Sequence, residues 1–216
     1  MGDPARHGRM TQIASPLPEH ANAEATPPWR REALDIARTL ALAIVLATVV
    51  RIVLFQPFTI PSSSMEPGLV TGDYVVVSKF AYGWSTAALP FNPPVVGGRL
   101  LGRSPARGDV VVFRLPRDPK QAWIKRVVGL PGDTVQVRGG QVFINGQPTQ
   151  RRPAGITRDH DAPDRRVLAV RETIETGRTY VTYDAGFGRP GDDTSVHRVP
   201  SGRYFVMGDN RDNSLD

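Results

Sequence analysis

Between Thr39 and Val50 the chain carries no charged residue, and after a single Arg51 the apolar run continues through Ile52, Val53, Leu54 and Phe55, 17 residues in all. At about 1.5 Å per residue such a helix spans roughly 26 Å, a little less than the ~30 Å hydrocarbon core of a bilayer. Arg51 lies one turn from its end, where the guanidinium can snorkel to the interface. A cleaved secretory leader is one rival reading, but the preceding tail is long and the run is followed by QPFTIPSSS, without an Ala-x-Ala site. A buried core helix is the other rival, and Arg51 favours it. The reading adopted is an uncleaved transmembrane anchor over residues 30–56. Arg30, Arg31 and Arg38 precede the apolar run, so the positive-inside rule puts the N-terminus in the cytoplasm and everything after Phe55 outside. Residues 1–29, rich in Ala, Pro, Glu, His and Arg and without hydrophobic periodicity, are expected to form a disordered cytoplasmic tail.

Beyond Pro57 the pattern becomes short β-like runs separated by Gly, Pro and Asp, the signature of a barrel or sandwich. The runs are Tyr74 to Lys79, Asp109 to Arg114, Trp123 to Val128, Thr134 to Arg138, Gln141 to Ile144, Arg178 to Tyr183 and Arg203 to Met207. Gly139 and Gly140 in VQVRGGQVFING form a two-residue hairpin turn, where positive φ at both positions calls for glycine. Residues 87–105 and 147–166 read as long surface excursions. With 216 residues in total, one extracytoplasmic β domain over 57–216 is expected after the anchor. The formal charge of +6 would suit nucleic acid or an anionic surface, but the basic residues are scattered, and no nucleic-acid partner is expected. Absence of cysteine excludes disulfides and thiolate-ligated metal.

Of the 27 basic side chains only Lys79, Lys120 and Lys125 are lysine. Arginine is effectively never deprotonated in a protein, whereas a buried lysine can lose its proton and act as a base. Lys125 lies in AWIKRVVGLPGD, flanked by Trp123, Ile124, Val127 and Val128. Successive strand residues point to opposite faces, so Lys125 and Arg126 cannot both face one site: one is a site residue, the other a surface or ion-paired group. A nucleophile for such a base is offered by PSSSMEP, Pro61 to Pro67, although three serines between prolines also suit a solvated turn. A serine attacks only when a base takes its proton and donors stabilise the oxyanion. Histidine is the usual base, but His7 and His20 lie in the tail, His160 in a loop and His197 beside Arg198. His197 is the least unsuitable for a Ser-His-Asp triad, and no aspartate is marked as its orienter. A third segment, GDNRDNSLD from Gly208 to Asp216, is densely polar. It lacks the sixth-position glycine and closing glutamate of an EF-hand, so no metal is expected, and an Asx-rich turn that holds other residues in place is the better reading.

Together these segments resemble the signal peptidase I family, the bacterial enzymes that remove signal peptides from exported proteins. PFTIPSSSMEPGL, GDVVVFRLP, WIKRVVGLPGD and MGDNRDNSLD follow the anchor in the family's order. The resemblance implies a mainly β, signal-peptidase-like catalytic domain after one transmembrane helix, in the bacterial inner membrane. It implies a serine endopeptidase with no cofactor, whose partners are signal-peptide-bearing precursors and the lipid bilayer. Ser64 would be the nucleophile and Lys125 the general base, with Ser62 and the Ser64 N–H forming the oxyanion hole. Ser214 would orient the Lys125 amine, and Arg126, Asp209, Arg211 and Asp216 would be structural polar partners. Phe58, Ile60, Met65, Trp123 and Ile124 match positions lining apolar pockets for the substrate's −1 and −3 residues, hence an Ala-x-Ala preference. Ser64 follows Phe55 by nine residues, which at ~3.3–3.6 Å per residue keeps it near the bilayer surface. The family pattern continues with Ser-Arg where this sequence stops at Asp216, implying a C-terminus cut short. Two other readings compete: an autoprotease akin to self-cleaving repressors, and an anchored β domain that only binds proteins.

Overall fold

A computed structural model describes residues 27–83, 101–115 and 118–214. Almost all of the expected tail, most of the 87–105 excursion, and Asp216 lie outside these residues. The chain divides into two units, residues 1–45 and 46–216. Helix α1, Pro28–Val53, belongs to the first unit through Val45. Its Leu40, Leu42, Ile44, Val45 and Leu46 are all more than half exposed among the described residues. The stretch Trp29–Arg51, 23 residues and about 34 Å long, is long and apolar enough to cross a membrane.

The helix ends three residues before the expected limit of the anchor. Phe55–Thr59 instead form β1, antiparallel to β2, Tyr74–Ser78, with Phe55 opposite Ser78 and Phe58 opposite Val75. Apolar residues here fill a strand rather than the last helical turn because Pro57 cannot supply a helical N–H, and the ring of Phe55 packs edge-on against Phe80 at 5.7 Å.

The second unit is mainly β, and its described residues form four small antiparallel sheets. The sheet that positions the site has the order β12-β4-β3: β3 is Val110–Leu115, β4 Asp118–Gly129 and β12 Phe205–Met207. β3 runs along most of β4, whereas β12 pairs only with Arg126, Val127 and Gly129. β5 (Thr134–Arg138) and β6 (Gln141–Ile144) form the expected hairpin, with Gly139 and Gly140 at φ 54° and 75°. β7 (Gln147–Pro148) and β11 (His197–Arg198) flank that hairpin. Val128, Val135, Val137, Val142, Ile144, Val199 and Met207 make the core, with Phe205 packed on it. One end of β4 is thereby rooted in apolar packing.

The 147–166 stretch is not a loop. Residues Gln150–Arg158 form β8, paired with β9 (Arg166–Thr173), which in turn pairs with β10 (Thr179–Asp184). β8 is exposed along most of its length, so neither face selects apolar residues and no alternation marks it in sequence. β9 was also unmarked, because its buried positions include Glu172.

Candidate active site

The loop between β1 and β2 is closed by Ile60 N–H to Asp73 O and Gly72 N–H to Ile60 O, both 2.9 Å. Within it Ser63–Met65 wind into a single 3-10 turn entered from an extended Ser62. Ser63 and Met65 are buried, Ser64 is half-buried and Ser62 exposed. The turn is fixed from outside. The backbone N–H of Asn210 donates to Ser64 O at 3.1 Å, and Asn213 Nδ2 donates to Ser63 Oγ at 2.7 Å. The Ser62 and Ser64 hydroxyl oxygens stand 3.4 Å apart.

Strand alternation separates Lys125 from Arg126 as the sequence requires. Lys125 is 3% exposed, its Nζ hydrogen-bonds Ser214 Oγ, and the same nitrogen lies 5.4 Å from the centroid of the Trp123 ring. Arg126, on the other face, grips Asp209 with two bonds of 2.7 and 2.6 Å and donates to Gly108 O at 2.7 Å. Its guanidinium lies 4.1 Å from the centroid of Tyr180. The Tyr180 hydroxyl donates to Glu172, as does Arg211, both at 2.9 Å. Burial pushes the Asp209 carboxyl up, against the pull of the Arg126 fork. Burial likewise raises the Tyr180 phenol, helped by the Glu172 carboxylate, so it stays neutral. Desolvation opposes the charge on Arg211, but Glu172 outweighs it and raises the guanidinium above its ordinary range. Tyr183 N–H to Asp209 O and Arg211 N–H to Tyr183 O, each 2.9 Å, strap this segment to β10.

These elements enclose a cavity of about 540 Å³. Its walls come from three stretches: Ile60 to Met65, Gln121 to Lys125, and Asp212 to Ser214. Of the residues singled out in sequence, Ser62, Ser64, Lys125, Ser214, Ile60, Met65, Trp123 and Ile124 line it. Phe58 is half-buried on β1 and is not among the lining residues. Arg126, Asp209 and Arg211 form the polar layer beyond the cavity wall, and Asp216 lies outside the described residues. Among the described residues no histidine lines the cavity. His197, on β11, packs its ring against Phe205 at 5.4 Å, which leaves a Ser-His-Asp triad without its base. The polar GDNRDNS segment is occupied internally: Asp209 by Arg126, and Asp212 by the Ala185 N–H at 2.5 Å. Burial raises the Asp212 carboxyl against that bond.

Sequence reasoning missed Glu172 and Tyr180, whose importance arises only from pairing across strands. It also passed over Ser63 and Asn213, the hydrogen-bonded pair that joins the serine turn to the Ser214 segment. Gly208 carried the one available signal, a glycine inside a dense polar motif, and lies close against Ser64 and Ser214.

Compared with known proteins, the family model described as signal peptidase, peptidase S26, matches residues 33–216. A signal peptidase I of Rickettsia canadensis (strain McKiel) is 38% identical over 187 residues, 83% of this chain and 70% of that relative. Those of Rickettsia typhi (strain ATCC VR-144 / Wilmington) and Rickettsia prowazekii (strain Madrid E) are each 39% identical over 186 residues, 82% of this chain and 70% of the relative.

Proposed function

Because the chain belongs to the signal peptidase family, peptidase S26, we propose that it is a serine endopeptidase that removes signal peptides from exported precursors, with Ser64 as nucleophile and Lys125 as base. The observation that supports the assignment of roles is the shared cavity, lined by both Ser64 and a buried Lys125 whose amine hydrogen-bonds Ser214. Burial of Lys125 works against the charged ammonium.

The neutral Lys125 amine takes the Ser64 proton as Oγ adds to the scissile carbonyl carbon. The oxyanion is held by the Ser64 N–H and the Ser62 hydroxyl. The ammonium then protonates the departing amine, leaving an acyl ester on Ser64, and Lys125 deprotonates the water that hydrolyses it. Because β12 covers only the far half of β4, the edge at Ala122 to Lys125 borders the cavity. An extended substrate segment can add there as a strand, with its −1 and −3 side chains against Ile60, Met65, Trp123 and Ile124. The small apolar recess favours Ala-x-Ala.

The apolar α1 suits a membrane-anchored protein. Arg30, Arg31 and Arg38 at its start support a cytoplasmic N-terminus and a catalytic domain outside the inner membrane. Cleavage of a precursor bearing an Ala-x-Ala site tests the roles. Ser64→Ala abolishes it, whereas Ser62→Ala lowers kcat on the order of 10²-fold, as for one oxyanion donor of two. Cleavage retained in Ser64→Ala removes the nucleophile, and full activity in Ser62→Ala removes that donor.

A further inference from the structure

The tip of the β8–β9 hairpin brings His160 and Asp161 against Glu66, two residues past Ser64, on ground the cavity does not use. His160 Nδ1 lies 3.3 Å from an oxygen of Asp161 and 3.8 Å from Oε1 of Glu66, and the three donor atoms fall within 4.8 Å of one another. Ligands at about 2.0–2.2 Å from a tetrahedral centre stand roughly 3.3–3.6 Å apart, so the His160–Asp161 pair already has that spacing and Glu66 Oε1 lies a little beyond it.

A cluster of this kind could be an ordinary ion pair, but the carboxylates are arranged otherwise. Glu66 is 1% exposed, and its Oε2 accepts from the His160 backbone N–H at 3.4 Å. Its Oε1 is buried without a hydrogen-bond partner and faces the His160 ring. A buried carboxylate oxygen left so is costly and calls for a cation or proton. Burial raises the Glu66 carboxyl, the His160 N–H opposes this, and Asp159 and Asp161 add to it. Asp161 is also held: the Thr71 hydroxyl donates to Oδ2 at 3.0 Å, the Ser63 hydroxyl bonds the carboxylate, and Oδ1 lies 3.3 Å from His160 Nδ1. Both acids thus have chain donors behind them, the outer support that metal ligands require.

We propose that Glu66, His160 and Asp161 bind a divalent metal cation, with one imidazole and two carboxylates best matched to Zn²⁺ and a fourth position open to water. The ion ties the hairpin tip to the turn that carries Ser64. No local pattern announces it, because Glu66 lies 94 residues before His160.

The test is calorimetric titration of the purified full chain with ZnCl₂, together with thermal unfolding. Wild type binds one equivalent, and a variant with His7, His20 and His197 replaced by alanine keeps that affinity. His160→Ala and Asp161→Asn, both at exposed positions, bind at least tenfold more weakly, and Zn²⁺ raises the Tm of wild type but not of His160→Ala. Absence of saturable binding to wild type, or unchanged affinity in both single variants, overturns the proposal and leaves an ion pair alone.

Discussion

At Gly208 an added Cβ would lie 2.5 Å from both the Ser214 Cβ and the Ser64 carbonyl oxygen. The first neighbour is the proposed orienter of the amine and the second belongs to the proposed nucleophile, so a methyl group there cannot be absorbed by a flexible side-chain end. Gly208→Ala therefore lowers kcat by at least about 10²-fold, because a displacement near 1 Å in a catalytic constellation costs that much. The same variant with unchanged kcat would mean that the two segments separate freely. Residue placement was legible in part: the scarcity of lysine drew attention to Lys125, which is buried, and strand alternation required Arg126 to face away from it. What stayed hidden were long-range pairs such as Asn213 with Ser63, which no local pattern announces.

Among the elements, β4 carries both the site and the polar layer, and the Arg126–Asp209 fork joins it to the segment that ends at Ser214. Removing one partner leaves a buried charge uncompensated, at a cost of about 3–5 kcal/mol. Arg126→Met should lose stability in that range by urea unfolding, with Asp209 stranded, whereas a loss below 1 kcal/mol would show the fork to be incidental. Elements with one buried face were readable. β2, β3, β5, β6, β10 and β12 lie within a residue or two of the runs expected for them. β8 was unreadable because solvent meets most of it, and β1 because apolar residues after an anchor look like more anchor.

For the whole molecule, ionic ties around the core set the response to acid. Asp133 accepts from Arg107 Nη1 at 2.9 Å, from Asn145 at 2.8 Å and from the Leu130 N–H at 2.5 Å, while Arg107 also donates to Val128 O at 2.7 Å on β4. Burial alone would raise the Asp133 carboxyl, but these donors together hold it below its ordinary 3.8. A depressed folded value contributes stability in full above the unfolded value, and that contribution is lost as pH falls through the folded value. Asp133→Asn should thus cost roughly 1.5–3 kcal/mol at neutral pH and flatten the decline in stability below pH ~3.8. An unchanged acid slope in denaturant titrations at pH 2–5 would assign that decline to other groups. Family, mainly β class and the N-terminal apolar helix were all legible in the sequence, since motif order and a long apolar run need no tertiary knowledge. The division into four sheets was not, because it depends on which exposed strands find partners.

The dyad is tested most directly by the initial rate of precursor cleavage with Lys125→Arg beside wild type. Arginine has a comparable reach but cannot give up its proton near neutral pH. The account predicts no cleavage above background at any pH between 6 and 10, with the variant still folded. Cleavage at the wild-type rate would contradict a neutral lysine as the base.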